Sequence, residues 1–165
     1  MKAIPIPPAE GQESVWDYPR PPACEPCPRR ITIAFGGGLI VDTVLAWRVL
    51  ETSHPPVYYI PPADIAPGAL VPADGGSVCE WKGRAAYWTV VGADGRQART
   101  SAWSYPEPNE RFLPIRDHVA FYCARMDECT VDGEVATPQP GEFYGGWVTS
   151  WVVGPFKGEP GTWGW

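Results

Sequence analysis

The stretch "RAAYWTVVGADGRQARTSAWSY", residues 84–105, decides the fold class of this 165-residue chain. Ala86 to Val91 is rich in strand-forming residues, and Gln97 to Trp103 provides a returning strand. The Asp94-Gly95 pair between them is favoured in tight hairpin turns. The stretch therefore predicts a β-hairpin.

Other parts of the chain show a similar arrangement of short strands and turns. In "RITIAFGGGLIVDT", residues 30–43, the glycines Gly36–Gly38 separate two strand-like runs. They predict a turn rather than a phosphate loop, because neither G-x-G-x-x-G nor a following Lys-Ser/Thr is present. "VLAWRVLETSH", residues 44–54, fits a helix or a strand, and we predict a strand because both neighbours are strand-like.

The C-terminal half predicts a third hairpin and a final strand. "HVAFYCARMDECTVDGEVATP", residues 118–138, has turn signals near residues 125–128 and at Asp132-Gly133, and a last strand is expected around Trp147 to Val153. Short helical turns fit "PPADIAPGAL" and "PNERFLPI". No segment has a long amphipathic helical pattern, so we predict a mainly β protein.

The composition limits the classes of function. The chain is long enough for one domain with a real core, and its net charge of −6 argues against nucleic acid as a main partner. No apolar run is long enough for a signal peptide or a membrane span, and the odd count of 5 cysteines favours reduced thiols. We therefore expect a cytoplasmic protein without a membrane partner, and the oligomeric state is left open.

The first part of the chain differs from the rest. Residues 1–30 are rich in proline and poor in aliphatic residues, which predicts an extended arm, with Trp16 and Tyr18 as candidates to hold it against the body. Residues 31–165 then form the predicted β domain.

Several long strings carry a family resemblance: "ETSHPPVYYIP", "CEWKGRAAYW", "AWSYPEP" and "FYGGWVTSWVVGPFKGEPGTWGW". Over residues 31–165 the chain resembles the bacterial domain-of-unknown-function family 427. The resemblance implies a single compact β-tent-like domain of short antiparallel strands with few short helical turns. It also implies similarity to B-type methionine sulfoxide reductases and the ligand-binding domain of cereblon, which bind small polar ligands in aromatic-walled pockets.

Many β-tent proteins also hold a structural zinc ion with two Cys-x-x-Cys pairs. Here one such pair, Cys24 and Cys27, lies in the predicted arm, and Cys123 and Cys129 do not have that spacing. Because a four-thiolate zinc site needs four converging ligands, we predict no metal and no cofactor.

The stretch "LETSHPPVYYIP", residues 50–61, contains the first candidate site residues, Glu51, Ser53 and His54. A histidine with a pKa near 6.5 is suited to acid–base chemistry, and the two prolines that follow restrict the backbone. The alternative is that Ser53 and His54 only bond backbone groups at a strand end.

"CEWKG", residues 79–83, offers Cys79 and Lys82 as reactive side chains. On an extended strand these two residues point to opposite faces, so their spacing does not support a direct pair. Contact of Cys79 with His54 through the fold is left open, and a buried, inert cysteine is the simpler interpretation.

The aromatic residues predict either a packed core or the walls of a pocket. The main prediction is a small-molecule-binding β domain with an aromatic-walled pocket. The alternatives are an enzyme that uses His54 as acid or base with Cys79 or Lys82, and a protein-interaction platform. The predicted ligand-binding residues are Glu51, Ser53, His54, Tyr58, Trp81, Trp103 and Tyr105.

Overall fold

The computed structural model describes residues 2–165 and confirms a mainly β, single-domain protein of antiparallel sheets. The helical segments in this range are short 3₁₀ turns, at Val15–Asp17, Pro62–Asp64, Glu110–Ile115 and Cys123–Arg125. None of them is long and apolar enough to cross a membrane. The strands are β1 (Glu13–Ser14), β2 (Ala23–Cys27), β3 (Ile31–Ala34), β4 (Leu39–Thr43), β5 (Ala46–Leu50), β6 (Val57–Tyr59), β7 (Leu70–Cys79), β8 (Gly83–Val91), β9 (Gln97–Ser104), β10 (Val119–Phe121), β11 (Glu128–Val131), β12 (Glu134–Val135), β13 (Thr137–Pro138), β14 (Trp147–Val148) and β15 (Val152–Val153).

Three sheets make up most of the fold. Sheet one has the strand order β10-β9-β8-β7, sheet two the order β12-β11-β3-β4, and sheet three the order β2-β5-β6. Two short pairs complete the structure, β1 with β15 in parallel and β13 with β14 in antiparallel. The strand predicted in residues 44–54 is confirmed as β5.

The hairpins predicted at residues 30–43 and 84–105 are confirmed. Strands β8 and β9 are joined through Asp94-Gly95, and strands β3 and β4 through Gly36–Gly38. Gly36 has a φ of +65°, and a Cβ there would lie 2.4 Å from Cα of Gly92. The β3–β4 turn therefore approaches the β8–β9 turn so closely that position 36 requires glycine.

The third predicted hairpin is only half right. Asp132-Gly133 does connect β11 to β12, but β10 pairs with β9 in sheet one while β11 pairs with β3 in sheet two. The 3₁₀ turn at Cys123–Arg125 sends the chain from one sheet to the other, so residues 125–128 do not form a hairpin turn. The expected strand at 147–153 is divided into β14 and β15.

Within residues 2–30, two strands and Trp16 contact the rest of the described chain. Strand β1 pairs with β15, and β2 forms one edge of sheet three beside β5. Trp16 Nε1 donates to the Pro155 carbonyl at 2.9 Å. Pro26 is tolerated in β2 because an edge strand has a side that needs no backbone donor.

Candidate functional site

Sheet three divides the candidate residues between its two faces, because neighbouring residues of a strand point in opposite directions. One cross-strand row joins Glu25, Arg48 and Tyr58, and we call it the polar row. The rows that face the other way are Cys24–Val49–Val57 and Pro26–Trp47–Tyr59.

The face that carries Tyr59 packs against a group of rings, the aromatic cluster, formed by Tyr59, Trp103, Tyr105 and Tyr122. The ring centroids of Trp103 and Tyr122 are 4.6 Å apart, and those of Tyr59 and Tyr105 are 6.3 Å apart. Trp103 Nε1 donates to the Tyr59 hydroxyl at 3.4 Å. Tyr59, Trp103 and Tyr105 are buried and Tyr122 is half-buried, so the cluster reaches from the core to the surface.

Lys82 extends over the edge of the aromatic cluster. Its Nζ lies 5.7 Å from the ring centroid of Tyr105 and 5.9 Å from that of Phe112, which is within the range of cation–π attraction. The structure contains no salt bridge to Lys82 among the described residues. Lys82 is therefore a cation held above rings without a carboxylate partner.

The loop before the 3₁₀ turn at Glu110–Ile115 fixes the position of Lys82. Asn109 donates from Nδ2 to the Trp81 carbonyl at 2.7 Å and from its backbone N–H to the Lys82 carbonyl at 3.3 Å. Gly83, with a φ of +101°, ends the turn between β7 and β8, and a Cβ there would lie 3.1 Å from the Glu107 carbonyl oxygen. The tight turn holds Lys82 in place by backbone contacts.

Two thiols, Cys24 and Cys79, pack against the same cluster. Burial raises the pKa of the Cys24 thiol to about 11, with a further contribution from Glu25 and an opposing one from Lys82. Cys24 is therefore protonated and weakly nucleophilic at neutral pH. Cys27 lies among residues on the other side of sheet three, so the Cys-x-x-Cys pair does not converge.

Glu51, Ser53 and His54 lie close together in the chain, and we call them the His54 corner. Ser53 is anchored in it by backbone hydrogen bonds. Ser53 is fully buried with a φ of +73°. Its N–H donates to the Val15 carbonyl at 3.0 Å, and its carbonyl accepts from the Lys157 N–H at 2.9 Å. Ser53 therefore connects a segment near the N-terminus to one near the C-terminus. These bonds agree with the alternative interpretation, in which Ser53 only bonds backbone groups.

His54 is held beside Glu51 and Tyr144. Its Nδ1 donates to the Thr52 carbonyl at 3.0 Å and lies 3.9 Å from Oε2 of Glu51, and its ring meets the ring of Tyr144 edge-on at 5.0 Å. Burial lowers the pKa of His54, with Glu51 acting in the opposite direction. The imidazole is therefore neutral at pH 7, and its Nε2 makes no hydrogen bond to residues 2–165.

Residues 143–146, which we call the glycine strap, run between this corner and the aromatic cluster. Tyr144 packs on His54, and a Cβ on Gly145 would lie 2.2 Å from Cη2 of Trp103. The Tyr122 hydroxyl donates to the Phe143 carbonyl at 3.4 Å. The strap therefore links His54 to Trp103, which share no ring contact or hydrogen bond with each other.

The predicted site residues thus fall into three groups. Trp81, Trp103, Tyr105, Cys79 and Lys82 come together at the aromatic cluster, whereas Glu51, Ser53 and His54 form the corner behind the strap. Tyr58 belongs to the polar row on the opposite face of sheet three.

The predicted site residues omitted two members of the cluster, Tyr59 and Tyr122, and also Phe112, whose ring lies 5.9 Å from Lys82 Nζ. Tyr122 directly follows the predicted strand residues "VAF", which places it at the end of a strand and is a usable signal. Phe112 lies in a 3₁₀ turn, where no periodic pattern marks it.

A family model described as a domain of unknown function, DUF427, matches residues 23–132, about two thirds of the chain. The chain belongs to the DUF427 family. The resemblance predicted from the sequence is confirmed. The DUF427 match begins at the first residue of β2 and includes every member of the aromatic cluster, while the glycine strap lies beyond it. No curated protein matches the chain.

Proposed function

We propose that this DUF427 protein is a small-molecule-binding domain whose ligand lies against Lys82 and the exposed edge of the aromatic cluster. Half-buried Trp81, Tyr87 and Tyr122 pack against the same buried group as Tyr105 and Phe112, the two rings that lie near the ammonium group of Lys82. The ligand we expect is a small polar molecule with an anionic group and a planar or apolar body.

Lys82 is the observation that carries this proposal. Its cation lies over the rings of Tyr105 and Phe112, so a second cation is repelled there, whereas a carboxylate or phosphate gains a charge-assisted hydrogen bond. Burial raises the pKa of Tyr59 and Tyr105, so both phenols are neutral. Lys82 is then the charged group of the cluster that orients an anion.

The glycine strap gives the His54 corner an indirect role. His54 supports Tyr144, and the next residue, Gly145, lies on the indole of Trp103. We expect changes at His54 to alter ligand affinity through the strap rather than by loss of a direct contact.

Binding fits these contacts better than catalysis by His54 with Cys79 or Lys82. The contacts of His54 are with Thr52, Glu51 and Tyr144, while Cys79 and Lys82 lie with the cluster. A bound ligand recovered chemically unchanged after long incubation, as followed by NMR, supports binding. Conversion of the ligand that is lost in His54→Ala favours the enzyme.

The experiment is a thermal-shift and tryptophan-fluorescence screen of small carboxylates and phosphates. Lys82→Met removes the charge and keeps most of the aliphatic stem, and Lys2→Met at an exposed position is its matched control. We expect a screen member to bind wild type and Lys2→Met equally and Lys82→Met at least about tenfold more weakly, as for a lost charged hydrogen bond. Equal binding by both variants, or no binder in the screen, contradicts the proposal.

A further inference from the structure

A separate cavity lies on the polar-row side of sheet three. Its volume is about 380 Å³, and its walls include the whole polar row together with Arg29 and Trp151. This volume falls in the range of about 300–1,000 Å³ that small-molecule sites occupy. No member of the aromatic cluster lines it, so the cavity is distinct from the ligand site proposed above.

The charged groups in the cavity wall are balanced and fixed. Arg48 donates from Nη1 and Nη2 to the two oxygens of Glu13 at 2.7 and 2.9 Å, and from Nε to Oε1 of Glu25 at 2.8 Å. Oε2 of Glu25 accepts no hydrogen bond from residues 2–165. The acidic and basic side chains of the wall are Glu13, Glu25, Arg29 and Arg48, so their formal charges cancel.

Arg29 brings a second guanidinium to the cavity. Its Cζ lies 4.1 Å from the ring centroid of Trp151, and its Nη1 donates to Asp132 at 3.0 Å. The single bond to Asp132 leaves most of the N–H groups of Arg29 available to an anion.

Tyr58 supplies a hydroxyl group to the same space. The residue is 3 % exposed, its ring packs at 5.1 Å from that of Trp147, and it forms part of the cavity wall. Within the described chain its hydroxyl makes no hydrogen bond. No fully buried side-chain oxygen or nitrogen of the described residues lacks a partner, so the Tyr58 hydroxyl is accessible and keeps its hydrogen-bonding capacity for a ligand in the cavity.

We propose that the cavity binds a small zwitterion of the amino-acid class. The ligand ammonium group meets Oε2 of Glu25, and the ligand carboxylate meets the Tyr58 hydroxyl and Arg29. Because the wall carries equal numbers of acidic and basic groups, its net charge favours neither a simple anion nor a simple cation. A zwitterion satisfies both sets at once.

The test is isothermal titration of the full chain with each of the twenty standard L-amino acids, followed by the amide and the N-acetyl derivative of any binder. The amide removes the negative charge and the acetyl group removes the positive one. We expect the free amino acid to bind at least about tenfold more tightly than either derivative, since each derivative loses one charged hydrogen bond. Absence of any binding, or equal binding of either derivative, overturns the proposal.

Variants locate the ligand within the protein. Tyr58→Phe keeps the ring and removes only the hydroxyl, so we expect an unchanged melting temperature and affinity about tenfold weaker or more. Glu25→Gln is a second test of the ammonium contact, and we expect a similar loss. Full affinity in Tyr58→Phe refutes the inference, whereas loss of affinity in Lys82→Met shows that the amino acid lies in the aromatic cluster and also refutes it.

Discussion

The substitution Gly145→Ala tests the glycine strap against the aromatic cluster. A methyl group built on Gly145 lies 2.2 Å from Cη2 of Trp103 and 3.1 Å from both Cζ2 and Cζ3 of the same ring. Since carbon atoms pack at about 3.5–4.0 Å, either the indole or the strap must move by more than about 1 Å. No left-handed φ is required at Gly145, so the penalty is steric rather than a backbone effect.

The size of the effect follows from how little room Trp103 has. The indole is 8 % exposed and packs against Tyr59 and Tyr122. Overpacking of a filled interior typically lowers the free energy of unfolding by about 1–3 kcal/mol. For a domain of this length, each kcal/mol lowers the melting temperature by about 2–4 °C, so we expect a decrease of about 2–12 °C.

Thermal unfolding followed by circular dichroism measures this decrease, and intrinsic fluorescence reports on the environment of the displaced indole. Gly38→Ala is the matched control, because a Cβ on Gly38 meets no atom within 4 Å and no left-handed φ is required there. If Gly145→Ala melts at the same temperature as Gly38→Ala and keeps the wild-type emission, the packing of the strap on Trp103 is refuted.

Three further predictions follow from the electrostatics. Arg48→Met leaves the half-exposed carboxylates of Glu13 and Glu25 without their shared cation. We expect urea denaturation to show a free energy of unfolding lower by about 1–2 kcal/mol, with a smaller difference in high salt. An unchanged urea midpoint contradicts this prediction. Burial lowers the pKa of His54 below 6.5, so its neutral form stabilises the fold above pH 6.5 and this stabilisation is lost as the pH falls. In His54→Asn the free energy of unfolding should therefore fall less steeply below pH 6.5 than in the wild type. If the two proteins lose stability equally as the pH falls, the lowered pKa of His54 is contradicted. The pKa of Cys24 is raised to about 11, so its thiol should react with iodoacetamide at neutral pH far more slowly than glutathione does. Peptide mass spectrometry measures this rate, and a rate equal to that of glutathione would disprove the protonated state of Cys24.

The sequence could predict those parts of the fold that depend on neighbouring residues. The hairpin through Asp94-Gly95 and the turn at Gly36–Gly38 both carry their own turn chemistry, so their strands were placed correctly. Strands β10 and β11 are close in sequence but take partners from different sheets. Such pairing depends on long-range contacts, for which a local pattern provides no signal.

The candidate site shows the same division. The residues of "CEWKG" and "AWSY" could be linked by their aromatic content, and the structure brings them together. Tyr58 and Tyr59 are adjacent, however, and the sequence did not reveal which face of sheet three each would occupy. Likewise the bonds of Ser53 to Val15 and Lys157 join segments far apart in the chain, so "ETSH" alone could not distinguish a catalytic corner from a structural one.

The proline-rich N-terminal segment contributes to both proposed sites. Strand β2 places Cys24 on the aromatic face of sheet three and Glu25 on the polar row, while Glu13 from β1 completes the bonds to Arg48. This segment cannot form its own core, and it is held in the fold because β1 pairs with β15 and β2 pairs with β5. Its prolines are compatible with the edge position of β2 in sheet three. The two sites therefore share one structural element, and the side-chain alternation along β2 is what keeps them apart.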